Sequence, residues 1–276
     1  MNPLVILPTY NEADNLERLL GSILEQPIDA HILIVDDASP DGTGVISDRL
    51  IQEDAAPGRI HVLHRAAKEG LGPAYRAGFA WAMERDYEIM IGMDADFSHN
   101  PCHLPQMIEA AQSADVVVGS RYLNGISIVN WPLHRILLSC GANRYVQAIT
   151  RLAVKDCTSG FRLYHRRVLE GIDMDSVRAT GYSVLVEMLF RAKTAGFQIA
   201  EVPIVFTDRE RGQSKMSRQV IFESALTPLR LRWHENALRQ QLKSAAIPTA
   251  APTLQLVHFE PETDDSERGG TWRRVA

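Results

Sequence analysis

Only three cysteines, Cys102, Cys140 and Cys157, occur in the 276-residue chain. They are odd in number, scattered and without CxxC spacing, which excludes a disulfide framework and a structural zinc site and leaves reduced thiols as the expectation. Long apolar runs are missing too. None reaches the roughly 20 residues needed to cross a bilayer; "GYSVLVEMLF" and "PLHRILLSCGA" are too short or are broken by charge. There is no basic surplus: the net charge is −5, so nucleic acid is not an expected partner and any phosphate-binding surface has to be local. The opening "MNPLVILPTYNE" has neither a basic leader nor a cleavage site, so no signal peptide is expected. No internal repeat is visible. What remains is ordinary globular composition, 45% hydrophobic and 23% charged, in a chain sized for one domain with at most an appendage.

The first half alternates regularly. Apolar, β-rich runs fall at 4–8, 31–37, 59–64, 87–94 and 114–120, and segments of helical period begin near Glu12, Gly44, Gly70 and Leu104. This pattern predicts an α/β fold, a mainly parallel central sheet flanked by helices on both faces. Ligands of such sheets bind beyond the carboxyl ends of the strands. The residues there are "PTYNE", "DDASPDGT", "HRAAKEG" and "DADFSHNP", so several acid-bearing turns should meet at one edge. After Arg121 the expected order is a helix near 133–152, a short "CTSGFRLY" segment, a helix near 181–195 and a strand at 197–206. A charged loop at 207–218 follows, then a helical stretch to about Lys243 punctuated by Pro228. From residue 244 the chain turns Pro/Ala/Thr-rich and then acidic, and a flexible tail is expected.

Asp94 and Asp96 close the fourth strand one residue apart and, if the strand persists, point the same way. Two like charges so placed repel unless a proton or a cation lies between them. A divalent-metal site, a phosphorylatable aspartate and a solvated turn all compete. The metal reading fits better than the phosphatase one, because aspartyl-phosphate motifs normally open their domain, and hard oxygen ligands suit Mg²⁺ or Mn²⁺. Asp36 and Asp37 end the second strand; one such acid commonly accepts hydrogen bonds from a nucleotide, while "SPDGT" beyond them reads as a turn with Asp41 or Thr43 near a helix N-cap. "GLGPAYRAGF" lacks both common phosphate-loop patterns and reads first as a glycine-rich helix start. Arg121, Arg135, Arg209, Arg211, Lys215 and Arg218 form a cationic set suited to phosphate, and Arg135 and Ser139 share a helix face. His99, His103 and His134 read as polar surface or loop residues. Glu187 is either a buried, satisfied carboxylate facing a sugar pocket or a helix-surface acid.

Taken together, "LPTYNE", "VDDASPDGT", "GLGPAYRAGF", "MDADFSHNP", "VVGSRY", "CTSGFRLY" and "DRERGQSKMS" resemble the family 2 glycosyltransferases, and more narrowly the dolichol- or polyprenol-phosphate mannosyltransferases, from about Pro3 to Arg232. The resemblance implies a nucleotide-sugar-binding domain of GT-A type. It also implies that Pro8, Tyr10, Glu12, Val35 and Asp37 line a guanosine site, and that Asp94, Ala95 and Asp96 hold the GDP-mannose diphosphate and the metal with Ser98 completing its shell. Arg209 and Lys215 then close over the donor, Arg121 serves the donor and counts with Asp94 and Asp96 as catalytic, and Arg121, Arg135 and Ser139 take the acceptor phosphate. Two departures stand out: the transmembrane helices of some relatives are not seen, and "LRLRW" lacks the glutamine of the processive synthases, which argues for a single transfer.

The expected reaction moves one mannose from GDP-mannose to a polyprenyl monophosphate, with inversion. An acceptor phosphate with a second pKa near ~6 is already largely deprotonated at neutral pH, so no general base is needed, and none is evident. The catalytic domain is expected over 1–243, with a nucleotide-sugar half at 1–120 and an acceptor half at 121–243. A basic amphipathic helix at 218–243, with Ile221, Phe222, Ala225, Leu226, Leu229 and Trp233 near one face, either lies on an anionic membrane or packs on the domain. The protein is accordingly expected in the cytoplasm, peripheral on the inner face of a membrane. Two other readings stay open: a UDP-glucose-dependent enzyme acting on the same lipid, and a non-catalytic sugar-nucleotide sensor or subunit held by a membrane-anchoring protein partner.

Overall fold

A computed structural model describes residues 2–53, 58–177, 179, 181–208, 218–244, 258–261 and 272–275. Its centre is a seven-stranded sheet. Strands β1 (Pro3–Thr9), β2 (His31–Asp36), β3 (Ile60–His64), β4 (Ile89–Gly92) and β5 (Val116–Ser120) fall where the apolar runs predict, with helices α1 (Ala13–Leu24), α2 (Thr43–Gln52), α3 (Leu71–Met83) and α4 (Leu104–Ala110) between them. Beyond β5 come β6 (Ile128–Val129), α5 (Leu133–Thr150), β7 (Arg162–His165), α6 (Arg166–Gly171), α7 (Ser183–Ala195), β8 (Ile199–Pro203) and β9 (Phe206–Thr207). Helices α8 (Arg218–Trp233) and α9 (Glu235–Ser244) and strands β10 (His258–Pro261) and β11 (Trp272–Val275) complete the described chain.

The sheet order is β3-β2-β1-β4-β7-β5-β8. All neighbours run parallel except β7, which lies antiparallel between β4 and β5. The order reverses direction at β1 and β4, whose carboxyl ends therefore open a crevice between them. Alternation along the strands divides the core into two layers. Leu4, Ile6, Leu33, Val35 and Met90 face α3 and α7; Val5, Leu7, Ile32, Ile34 and Ile91 face α1 and α4. Helix α1 answers with Leu16, Leu19, Leu20 and Ile23, an i, i+3, i+4, i+7 stripe that is wholly buried.

Several expectations are revised. The strand expected at 197–206 is two strands: β8 ends at Pro203, and β9 pairs with β6 in a separate small sheet. The helix expected to break at Pro228 runs through it to Trp233, and the interruption falls at His234 instead. A proline forfeits one backbone bond, a loss that helix packing can absorb. In α8, Pro228 and Leu231 face inward while Ala225, Leu226, Leu229 and Trp233 stay exposed, so this part of the expected apolar face is not spent on the core. Past residue 244, β10 and β11 pair antiparallel within what reads as a flexible tail. Arg209, Arg211 and Lys215 lie outside the described residues.

Close packing fixes the strand before the acids. A Cβ on Gly92 would lie 2.6 Å from Cε1 of the buried Tyr75. Gly92→Ala is therefore expected to destabilise the fold by about 1–3 kcal/mol through overpacking, read as a lower midpoint in urea unfolding with an unchanged slope.

Candidate active site

A cavity of about 310 Å³ opens at the β1/β4 crevice, lined among others by Pro8, Tyr10, Glu12, Asp37, Asp94, Ala95 and Asp96. Seven of the residues assigned to the donor by resemblance thus meet in one place. Val35 does not join them: its side chain is fully buried in the core, and its carbonyl accepts the Thr9 hydroxyl at 3.3 Å. Thr9, Lys68, Glu69, Gly70, Leu71, Ala74, Gly181 and Tyr182 complete the lining. The Lys68 ammonium lies 3.8 Å over the Tyr10 ring, bringing a cation to a wall otherwise rich in acids. "HRAAKEG" was legible as an edge loop, but nothing in the sequence singled out Lys68 within it.

The turns are held by one another. Asp36 accepts the Ser39 hydroxyl at 2.5 Å and the Ser39 amide at 3.2 Å, so it shapes its own turn. Asp37 enters the cavity and pairs with Arg65 at 2.5 Å. Asp41 accepts from the Thr43 hydroxyl and amide and from the Ala13 amide, while Thr43 Oγ1 accepts the Glu12 amide at 3.0 Å. The "SPDGT" turn therefore caps α1 as well as α2, satisfying amides that the first turn of a helix leaves open. Burial alone would push the Asp41 carboxyl up, yet these hydrogen bonds hold it below its ordinary value.

Asp94 and Asp96 reach the cavity by a different route from strand alternation. The strand ends at Gly92, and the acids lie on a turn in which Phe97 takes a left-handed φ of 61°. Ser98, expected in the metal shell, instead donates its hydroxyl (2.5 Å) and amide (3.1 Å) to Asp96 Oδ1. It orients the carboxylate. His99 and His103 are not surface residues: they are 1% and 3% exposed. His99 Nδ1 accepts the Asp94 amide at 3.0 Å, which places its proton on Nε2. The ring stacks on Phe161 and meets Phe206 edge-on. Burial pushes both histidines down to about 4, so they are neutral at physiological pH. Gly160 presses on the same turn, with Asp94 Oδ1 only 3.4 Å from the place a Cβ would take.

Two carboxylates are hard oxygen donors that fit Mg²⁺ or Mn²⁺. Among the described residues no group of three or more His, Cys, Asp or Glu side chains stands together as a ready-made cage. A cation here would need diphosphate oxygens to complete its shell, the usual arrangement for Mg²⁺.

A second cluster forms around Trp131. Arg121 is 6% exposed and bound in bidentate fashion to Asp156, Nε to Oδ2 at 2.6 Å and Nη2 to Oδ1 at 2.7 Å, with Nη2 also donating to Thr158 Oγ1. Its charge is largely spent on Asp156, inside the fold. Arg135 stacks on Trp131 at 3.9 Å and pairs with Asp208 at 3.0 Å. Ser139 Oγ accepts the Tyr122 hydroxyl at 2.7 Å, and Asn143 links the Ser139 carbonyl to Thr158 Oγ1. The structure thus joins Arg121, Arg135 and Ser139 through Trp131, Tyr122, Asn143 and Thr158. Glu187 is buried, paired with Arg191 at 2.9 Å, and accepts the Ala179 amide. It braces the segment leading to Gly181 and Tyr182 and does not line the donor cavity.

The mainly parallel sheet, with its carboxylate-lined cavity at the reversal of strand order, is the architecture of a GT-A glycosyltransferase. A glucosyl-3-phosphoglycerate synthase from Mycobacterium tuberculosis superposes with a TM-score of 0.59 at 18% identity, over 84% of this chain and 79% of that one. A mannosyltransferase from Pyrobaculum calidifontis in complex with GDP-Man and Mn²⁺ superposes at 0.53 and 16%, over 88% and 73%. The chain belongs to glycosyl transferase family 2, whose model matches residues 4–173. It is 46% identical to the polyprenol monophosphomannose synthase of Mycolicibacterium smegmatis over 80% of this chain and 83% of that protein. It is 44% identical to the undecaprenyl-phosphate mannosyltransferase of Micrococcus luteus over 83% and 93%.

Removing Arg121 strands a buried carboxylate, so Arg121→Ala is expected to cost about 3–5 kcal/mol. Burial pushes Asp156 up, but the Arg121 guanidinium overcomes it and holds the carboxyl below its usual range. The pair's contribution is therefore full at neutral pH and fades on acidification through the depressed pKa. In the variant the guanidinium's opposition to burial is gone and protonation relieves the stranded charge, so the stability gap to wild type should narrow as pH falls, measured by urea unfolding across pH. His99→Ala leaves the Asp94 amide without its acceptor and should lower turnover about ten- to a hundredfold. His99→Asn, which restores an acceptor near Nδ1, should recover part of it while both variants keep a wild-type circular dichroism spectrum.

Proposed function

We propose that this protein transfers one mannose from GDP-mannose to a polyprenyl monophosphate, with inversion at the sugar. The observation that carries the reading is the gathering of Pro8, Tyr10, Glu12, Asp37, Asp94 and Asp96 around a single cavity, in a chain whose relatives are named as mannosyltransferases of polyprenyl-type phosphates. The catalytic unit is residues 1–243, with the donor held mainly by 1–120 and the acceptor by 121–243. Tyr10, Glu12 and Asp37 face the nucleoside; Asp94 and Asp96, with Ala95 between them, face the diphosphate and hold Mg²⁺ or Mn²⁺. A divalent cation so held supplies charge stabilisation to the departing diphosphate. Arg209 and Lys215 bind the donor.

Arg135 and Ser139 receive the acceptor phosphate, with Arg121 offering the one guanidinium nitrogen, Nη1, not engaged by Asp156 or Thr158. The phosphate arrives ionised and attacks without a general base, so the protein's share is positioning two anions and keeping water away. Among the described residues no helix is long and apolar enough to cross a membrane. We place the enzyme peripherally, on the cytoplasmic face of the membrane that holds its acceptor, alone or with an anchoring protein.

Transfer from labelled GDP-mannose to a detergent-dispersed polyprenyl phosphate tests the reading, with UDP-glucose in parallel and with chelator. Donor-selective transfer abolished by chelator and by Asp96→Ala, and an Arg135→Ala variant impaired mainly in acceptor KM, are the expected results. Preference for UDP-glucose, or near-normal activity of Asp96→Ala, would overturn the donor or the metal assignment.

A further inference from the structure

Glu187 and Arg191, the buried ion pair of α7, do more than face one another. Both line a second cavity, of about 550 Å³, that shares no residue with the donor cavity. Its size is that of a small-molecule site. Leu231 of α8 and Leu238 of α9 form an apolar part of the wall, and Arg230 and His234 stand where those two helices meet.

The charges of this wall do not balance. Arg191 spends all five N–H groups: on Glu187 Oε1 through Nε and Nη2, on the Ile172 carbonyl, and on the hydroxyl and carbonyl of Ser176. That pair neutralises itself. Arg230 is different. Arg232 and Arg239 divide Glu235 between them, whereas among the described residues the exposed Arg230 guanidinium has no carboxylate partner. His234 Nδ1 lies 2.9 Å from the Arg230 carbonyl and must donate to it, since a carbonyl only accepts; Nε2 is left for a ligand. Asp173, which is not in the lining, takes the Gln241 amide at 2.7 Å. The surplus is one guanidinium and one imidazole beside an apolar wall, a set that takes an anion with an apolar body. A fork of N–H groups with a ring nitrogen suits the several oxygens of a phosphate ester better than the two of a carboxylate.

The wall reaches the donor cavity through the backbone. Glu187 Oε2 accepts the Ala179 amide at 3.2 Å, and Gly181 and Tyr182, just beyond Ala179, line the donor cavity. An anion in the second cavity attracts Arg191 and repels Glu187. It therefore works against the pair, and against the grip of Glu187 on Ala179.

We propose that the cavity between α7, α8 and α9 is a second ligand site, which takes a small organic phosphate on Arg230 and His234. Its occupant weakens nucleotide binding by loosening the hold of Glu187 on the segment that carries Gly181 and Tyr182. The effect on nucleotide rests on the donor reading above; the site does not.

Titration calorimetry of the full chain with phenyl phosphate, in chelator, tests the site. Saturable binding is expected, at least about tenfold weaker in Arg230→Glu. Inorganic phosphate, without a ring to lie on Leu231 and Leu238, should bind less tightly, and so should benzoate. Asp96→Ala, altered in the donor cavity, should bind phenyl phosphate as wild type does. With phenyl phosphate bound, the Ala179 amide hydrogen should exchange at least about fivefold faster and GDP with Mn²⁺ should bind at least about fivefold more weakly. Arg230→Glu should show neither effect. The proposal is overturned by absent or unsaturable binding, by undiminished binding to Arg230→Glu, by benzoate binding as tightly, or by loss of binding in Asp96→Ala. Unchanged Ala179 exchange, or a GDP affinity indifferent to phenyl phosphate, overturns it too. Wild type whose Ala179 exchange responds but which binds no GDP would sink the nucleotide reading and leave the second site standing.

Discussion

The buried pair of Arg121 and Asp156 is the interaction on which the site depends. It ties the end of β5 to the segment that leads into β7, and Asp156 is itself held by its amide to Glu201 at 3.0 Å. Two things hang from that segment. Thr158 takes Arg121 Nη2 and Asn143 Nδ2, linking α5 and Ser139 to the sheet. Gly160, two residues on, lies against Asp94 and His99. One strut thus fixes the distance between the turn bearing the acids and the helix bearing the second cationic group. A buried ion pair is not by itself a strong source of net stability; its value here is in the geometry it enforces.

The second theme is charge kept under control. Acids at a strand-end crevice repel one another, and the fold answers with Arg65 on Asp37 and with neutral donors around the turn of Asp94 and Asp96. Ser98 donates to one oxygen of Asp96, and His99, held neutral by burial, accepts the Asp94 amide with its ring 3.8 Å from the Asp94 carboxylate. The contacts aim the carboxylates, and a cation brought with a diphosphate would take its remaining ligands from the phosphate oxygens. The cations are handled in the opposite way. Arg121 and Arg135 each already hold an aspartate, Asp156 and Asp208. Asp156 is locked in the interior, whereas the Arg135–Asp208 pair is about one-third exposed, so an incoming phosphate competes for Arg135 far more easily than for Arg121.

Much of this was written plainly in the chain. The β-rich runs and helical periods placed the first five strands and four helices within a few residues, because each buried strand is a continuous apolar run and each helix a stripe. The acids at the ends of β1, β2 and β4 were legible for the same reason: polar residues directly after a buried strand have only the sheet edge to occupy. The motif order then carried the family.

What the sequence could not decide was everything set by non-local contact. "CTSGFRLY" shows no sign that its strand inserts antiparallel between β4 and β5, yet that insertion brings Asp156 to Arg121 and Gly160 to Asp94. His99 and His103 looked like loop polars and Ser98 like a metal ligand, and only the turn folding back under the strand ends buried the histidines and gave the serine to Asp96. Arg121 and Arg135 were both assigned to the acceptor phosphate, and only the fold showed how far burial separates them. Gly181 and Tyr182 entered the cavity from far along the chain, held there by the brace of Glu187 and Arg191. Local pattern determines which residues stand at an edge; the tertiary fold alone decides which of them meet, because pairing energies depend on neighbours that the chain brings together from a distance.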